Sequence, residues 1–207
     1  MSIIGTYYTY HEDSKYYMLP YNKAYNLRQK AVQINLMLGT RATQSMEKLV
    51  VLVDVQNIYY TTKQSYDCHF DYNKFWAKAT SNRKVIKAIA YAIDRDDEKQ
   101  RQFQNILRAI GFEVKLKPFI QRVDGSAKGD WDVGITLDAI EYAKDADVVV
   151  LASGDGDFEL LVEKIRNDLN AIVEVYGVPK FTSTSLISSA SKYIPINKNL
   201  LLDTSKR

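Results

Sequence analysis

The sequence predicts an α/β domain, a parallel sheet with helices on both faces. Two apolar runs and one alternation carry that reading. Leu49-Val50-Val51-Leu52-Val53 and Val148-Val149-Val150-Leu151 are short, rich in β-branched residues and unbroken by polar ones. That is the pattern of strands buried on both faces. From Leu49 onward, strand-like and helix-like segments alternate, which implies βαβ units. Both runs lead into aspartates. Asp54 ends the first, and the second runs into Ser153-Gly154-Asp155-Gly156-Asp157-Phe158. The C-terminal ends of parallel strands share an edge, and ligands of open α/β sheets bind there. Carboxylates far apart in sequence are therefore expected to meet in one crevice.

The first strand is expected over 49–53, followed by a helical stretch around 71–80 with Phe75 and Trp76. A second strand covers about 85–93. Asp96 or Asp97 then opens a helix in which Phe103, Ile106, Leu107 and Ile110 have i, i+3, i+4, i+7 spacing. Gly111 stands where helices commonly stop. A third strand covers about 112–120, and a polar loop from Gln121 to Gly129 follows. The next helix spans about 131–144, with Val133, Leu137 and Ile140 facing inward. The fourth strand is 147–152, and its helix carries Phe158, Leu161, Ile165 and Leu169. The fifth strand runs from Ala171 to Tyr176 and stops at Gly177. A short helix near 183–191 and an extended segment at 193–197 follow.

Residues 1–46 differ from the rest, holding seven of the 15 tyrosines. Leu27, Ala31, Ile34 and Leu38 fall on one face of a helical pattern that Gly39 can end. This segment reads as a Tyr-rich N-terminal extension, and 47–207 as the domain proper. The apolar face of the extension is expected to pack on the main domain or on a second subunit, giving a homo-oligomer.

A chain of 207 residues suits one α/β domain plus an extension. The net charge of +3 permits nucleic-acid binding without arguing for it. Cys68 is the one cysteine, so no internal disulfide forms. With His11 and His69 as the two histidines, the roughly four Cys/His ligands of a structural zinc site are not at hand. No segment approaches the roughly 20 apolar residues of a membrane span. The N-terminus lacks the apolar core of a signal peptide. The expected location is the cytoplasm, with no membrane partner.

Three acidic groupings carry chemistry. In Asp54-Val55-Gln56-Asn57, a carboxylate at a strand tip can bind metal, and Asn57 can reach the same ligand from the next turn. Asp is also a favoured N-cap, so Asp54 has a structural reading as well. In Lys128-Gly129-Asp130-Trp131-Asp132-Val133, the acidic pair sits at a helix start, where the helix dipole favours negative charge. Asp132 flanks the expected apolar stripe and is the better ligand candidate. Asp130 and Ser153 are candidates for supporting positions. Asp138, farther round the helix, reads either as a supporting group or as a solvated one. In the third grouping, Asp155 and Asp157 are separated by glycine after a buried strand. Asp54, Asp132, Asp155 and Asp157 form an oxygen-only set, which suits Mg²⁺ or Mn²⁺. Lys117, Arg122 and Lys128 are candidates for contacting a nucleic-acid backbone. Lys74, Lys78, Arg83, Lys84 and Lys87 form a second basic group.

Val-Asp-Val-Gln-Asn at 53–57, Lys-Gly-Asp-Trp-Asp-Val at 128–133, Leu-Asp at 137–138 and Ser-Gly-Asp-Gly-Asp-Phe at 153–158 resemble the NYN domain, in its LabA-like branch. That family is similar to PIN-domain and flap-type nucleases. The resemblance covers roughly 47–197. It implies a PIN-like three-layer fold with central sheet order 3-2-1-4-5 and a metal-dependent ribonuclease site. It further implies that Asp54, Asn57, Asp132, Asp155 and Asp157 are the catalytic positions, that Mg²⁺ or Mn²⁺ is the cofactor and that RNA is the substrate. Relatives often carry a late Ala-Asp before an aromatic residue, whereas Ala190 here precedes Ser191-Lys192-Tyr193. The competing reading is a non-catalytic RNA-binding or regulatory module on the same fold. A topoisomerase-primase domain expects a glutamate where Asp54 stands. A dinucleotide site fails because Gly-x-Gly-x-x-Gly is absent after the first strand. A haloacid-dehalogenase phosphatase expects Asp-x-Asp where this chain has Asp54-Val55-Gln56.

Overall fold

The computed structural model describes residues 6–9, 17–20, 45–94, 97–118, 120–121, 127–128 and 130–203. The chain divides into two compact units, Met1–Met46 and Glu47–Arg207. In the first, Thr6–Thr9 and Tyr17–Pro20 pair as an antiparallel hairpin, with Thr6 opposite Pro20. The expected helix through Leu27 and Leu38 lies outside the described residues.

In the second unit six strands form one sheet: β1 (Glu47–Asp54), β2 (Arg83–Asp94), β3 (Glu113–Pro118), β4 (Val148–Ala152), β5 (Ile172–Gly177) and β6 (Lys192–Pro195). Their order is β3-β2-β1-β4-β5-β6, and every neighbouring pair is parallel. The expected order is present, extended by one strand. That sixth strand comes from the segment read only as extended. It pairs with β5 at the open edge, where its Pro195 is tolerated. The chain winds outward from β1 to β3, returns to β4 beside β1, and winds outward again to β6. The reversal falls between β1 and β4, where Leu49–Val53 lie opposite Val148–Ala152.

Side chains alternate across a strand, and β1 divides its residues between two cores. Leu49, Val51 and Val53 join one, with Ile58 of α1 (Val55–Tyr66), Phe75 of α2 (Tyr72–Thr80) and Leu107 of α3 (Glu98–Ile110). Val50 and Leu52 join the other, with Ile135 of α4 (Asp132–Ala143), Leu161 of α5 (Glu159–Asp168) and Leu186 of α6 (Thr184–Ser189). The fold is thus three layers, helices on sheet on helices.

Helix α1 was not expected. Its run of Thr and Tyr residues has weak helix propensity, and only Val55, Ile58 and Thr62 are buried. Thr62 fits because its hydroxyl donates to the Ile58 carbonyl at 2.6 Å. Two inward faces also differ from expectation. In α3, Leu107 is buried as expected, but Gln104 is buried while Ile106 is 52% exposed. In α4, Ile135, Ala139 and Ala143 face the sheet, while Val133 and Leu137 are 68% and 63% exposed. The small alanines let α4 lie close to the sheet, so its core stripe is the lighter of two apolar stripes. Asp138 turns inward with them, instead of lying on the polar side. It accepts hydrogen bonds from the Tyr91 hydroxyl at 2.7 Å and from Lys115 Nζ at 2.8 Å.

Arg83, Lys84 and Lys87 of the second basic group do not flank the acidic edge. Arg83 and Lys84 open β2, at the opposite end of the strands from Asp54. Arg83 is bidentate to Glu174, both contacts at 2.9 Å, and Lys87 pairs with Glu113.

Candidate functional site

The reversal of winding puts the tips of β1 and β4 side by side, and the acidic residues gather there. Asp54 is the last residue of β1 and is 8% exposed. It also caps α1, since its Oδ1 accepts the Asn57 backbone N–H at 3.1 Å. The capping and site readings of Asp54 are therefore compatible, because Oδ2 remains directed elsewhere. That oxygen accepts from the Ser153 hydroxyl at 3.4 Å. Asn57 Oδ1 accepts the Gly154 N–H at 2.9 Å. This bond ties the first turn of α1 to the loop after β4 and fixes the two strand tips to each other.

The loop after β4 is tightly built. Ser153 is fully buried, and its Oγ also accepts the Asp155 N–H at 3.3 Å. Asp155 caps the short turn Gly156–Phe158, its Oδ1 accepting the Asp157 N–H at 3.0 Å. A Cβ at Gly154 would lie 2.4 Å from the Phe181 carbonyl oxygen, and the Gly154 carbonyl itself accepts from the Ser183 N–H at 2.9 Å. Glycine is required there because two backbones touch. Asp155 is half-buried and Asp157 is exposed.

Asp132 enters from α4. The preceding Trp131 anchors that helix start, with Nε1–H donating to the Ala92 carbonyl at 2.8 Å and its ring 5.3 Å from the Tyr91 ring. Lys117 Nζ lies 4.5 Å from the Trp131 ring centre and donates to the Asp130 carbonyl at 2.8 Å. Lys117 thus braces the approach of α4, and Asp130 is exposed. Asp138 is engaged by Tyr91 and Lys115, as described above. Lys128 lies in the two-residue strand Ala127–Lys128, which pairs with Ile120–Gln121. Arg122 lies outside the described residues.

The charges interact. Burial pushes the Asp54 carboxyl up from 3.8 to about 6; Asp132 and Asp155 push the same way, against the Asn57 N–H and the Ser153 hydroxyl. Burial also raises Asp132, reinforced by the charges of Asp155, Asp130 and Asp157 and opposed by Lys117. Like charges packed on one edge disfavour full ionisation, and a cation relieves that cost. Even so, among the described residues no three Asp, Glu, His or Cys side chains are grouped to hold a single ion. The donors present are carboxylate oxygens, the chemistry that hard divalent ions take.

A cleft of about 660 Å³ opens beside this edge, under α1 and α3. Val55 and Gln56, the residues after Asp54, form part of it, with Tyr59, Tyr72, Phe103 and Gln104. Burial raises the Tyr72 hydroxyl, and the negative charge of Asp54 adds to the shift, so this wall is close enough to feel the acidic edge. Sequence reading missed the cleft. Its aromatic residues are scattered over α1, α2 and α3 without a shared spacing.

The NYN domain family model matches residues 48–197. Over 162 residues the chain is 26% identical to Low amplitude and bright protein LabA of Synechococcus elongatus, covering 72% of this chain and 84% of LabA. The crystal structure of a protein of unknown function from Vibrio parahaemolyticus superposes with a TM-score of 0.74 at 59% identity, covering 77% of this chain and 98% of that one. All four motifs read from the sequence fall inside the matched span. The chain belongs to the NYN domain family and is LabA-like.

Proposed function

We propose that this domain is a divalent-metal-dependent ribonuclease that hydrolyses phosphodiester bonds of single-stranded RNA at the C-terminal sheet edge. NYN membership and the likeness to LabA point to a nuclease-like, RNA-related activity. The observation that carries the finer reading is the gathering of Asp54, Asp132, Asp155 and Asp157 at the β1/β4 reversal, where burial and neighbouring negative charges raise the carboxyls of Asp54 and Asp132. A crevice at such a reversal is where open α/β sheets bind ligands.

Asp54, Asp132, Asp155 and Asp157 would hold Mg²⁺ or Mn²⁺, directly or through water, and the bound ion would supply positive charge for the scissile phosphate and polarise water. The rest is the work of the chain. Ser153 and the Asn57 backbone N–H fix the two oxygens of Asp54. Asn57 and Gly154 hold the strand tips in register. Asp155 orders the turn that carries Asp157. Lys117, beside Asp130 and Trp131, adds a positive charge that RNA phosphates can approach.

One observation favours a second reading, a non-catalytic RNA-binding module: the lack, among the described residues, of three carboxylates grouped around one point. Cleavage assays separate the two. Wild type should cut single-stranded RNA with Mn²⁺ or Mg²⁺ and stop in EDTA. Asp155→Asn keeps the Oδ1 acceptor for the Asp157 N–H and removes the charge, so it should fold and not cut. RNA binding by wild type without cleavage under any metal tried would establish the binding module instead.

A further inference from the structure

We propose that the cleft between α1 and α3 is a nucleobase subsite, which receives one base of a single strand whose phosphate lies at the acidic edge. The inference deepens the ribonuclease reading and rests on it for the identity of the polymer. Three observations point to a base.

The first is position. Val55 and Gln56 on one side of the cleft directly follow Asp54, and Ala92 and Ile93 come from the C-terminal end of the neighbouring strand β2. A nucleotide with its phosphate near Asp54 has its base within reach of this opening. The volume of about 660 Å³ lies within the roughly 300–1,000 Å³ of small-ligand pockets.

The second is the wall. Tyr59 is 45% exposed and Tyr60 52% exposed, although both are large aromatic residues. The Tyr59 and His69 rings stack at 5.8 Å with planes 26° apart, and Tyr72 meets Phe103 edge-on at 5.4 Å. Tyr59 thus stands at the cleft with part of its ring exposed and His69 behind it, and an exposed aromatic ring is a platform on which bases of single strands stack, whatever their sequence.

The third is Gln104, which is 5% exposed and lines the cleft, yet its Nε2 has no hydrogen-bond partner among the described residues. A buried amide donor left unpaired is costly. Its presence on the wall of a cleft calls for a ligand acceptor. Base edges carry carbonyl oxygens and ring nitrogens that accept from an amide, and single-stranded bases expose those edges. An aliphatic ligand leaves Nε2 unpaired, and a free phosphate leaves the aromatic walls unused. A base satisfies both.

The test is a titration of the metal-free full chain in EDTA, read by NMR shift changes, with adenosine, cytidine, guanosine, uridine and, as a control, ribose. At least one nucleoside should bind about tenfold more tightly than ribose, with shifts at Tyr59 and Gln104. Tyr59→Leu, a surface change, and Gln104→Met, which keeps length and removes the donor, should each weaken that nucleoside about tenfold. Gln104→Met should melt no lower than wild type, because it removes an unpaired polar group. Equal weak response to ribose and all nucleosides would overturn the subsite, as would nucleoside binding that ignores both substitutions. Nucleoside binding in a protein that never cleaves RNA removes the ribonuclease reading and leaves the subsite standing. Cleavage without nucleoside binding does the reverse.

Discussion

Asp54 and Glu174 are buried to nearly the same degree, 8% and 5% exposed, in the same sheet, yet they are opposites electrostatically. Burial alone drives both carboxyls upward. At Glu174 that push is more than offset by Arg83, which bonds it bidentately, and by Lys192 at 3.8 Å, so the group ends below its ordinary value of 4.5. At Asp54 the neighbours are Asp132 and Asp155, and the group ends at about 6. Among the described residues, Glu174 has its cations built into the fold, whereas the charged groups that shift Asp54 are both acidic. A buried charge is tolerated when paired, so the contrast separates a carboxylate settled within the fold from one whose charge its neighbours oppose.

The largest effect should come from removing the built-in cation. Arg83→Ala leaves Glu174 buried with Lys192 as its remaining ion-pair partner, and should cost about 3 kcal/mol in denaturant melts. Arg83→Met combined with Glu174→Leu should recover most of that loss, because replacing a whole buried pair is far cheaper than breaking one. If the double substitution melts no higher than the single one, packing around Arg83 matters more than its charge.

Asp54→Asn should work the other way. It should end RNA cleavage and stabilise the metal-free fold by about 2 kcal/mol at pH 8. The sign follows from proton counts. The folded chain keeps its Asp54 proton up to about pH 6, whereas the unfolded chain releases it near 3.8. Between those values the folded state binds more protons, so the contribution of Asp54 is full below the window and is lost as pH rises through it. The gain from Asp54→Asn should therefore fade towards pH 4. Glu174 runs oppositely. Its lowered value gives stability above 4.5 that is lost as pH falls through the folded value. Melts of wild type, Asp54→Asn and Glu174→Gln across pH 3–8 should resolve two slopes of opposite sign. Parallel slopes would mean that the two ends of the sheet are electrostatically alike.

Much of this was legible in the sequence because strand patterns and strand-tip aspartates are local signals. Leu49–Val53 and Val148–Leu151 read as buried strands, and their ends share an edge because the two pair in parallel. Glu174 and Arg83 were not legible as a pair, since they lie on β5 and β2, and β1 and β4 stand between those strands. Helix α1 was hidden by its tyrosines and threonines, whose burial depends on back-bonding to the helix. The inward face of α4 differs from expectation because the heavier apolar residues, Val133 and Leu137, dominate the sequence pattern yet lie outward. The lighter stripe won, because close approach to a sheet favours alanine. Asp138 stays open in the sequence between a supporting and a solvated role, because its partners Tyr91 and Lys115 lie on β2 and β3, far from it along the chain.

Asp138 supplies the smallest and sharpest test of the comparison, because it lies in the motif span of the site yet resembles Glu174. Its carboxylate takes both a hydroxyl and an ammonium, Tyr91 at 2.7 Å and Lys115 at 2.9 and 2.8 Å. Burial raises the Tyr91 hydroxyl, and its bond to Asp138 raises it further, so Tyr91 stays a donor at neutral pH. Asp138→Asn keeps an oxygen for Tyr91 and loses the charge opposite Lys115. At 14% side-chain exposure for Asp138 and 30% for Lys115, the pair is partly solvated. The loss should thus be about 1 kcal/mol, far less than for Arg83→Ala. Cleavage should stay within about fivefold of wild type, because an interaction worth about 1 kcal/mol changes a rate by no more than about that when it only steadies α4. A large drop in cleavage with an unchanged melt would instead make Asp138 part of the acidic edge. The boundary between paired and unpaired carboxylates would then run through α4 rather than along the sheet.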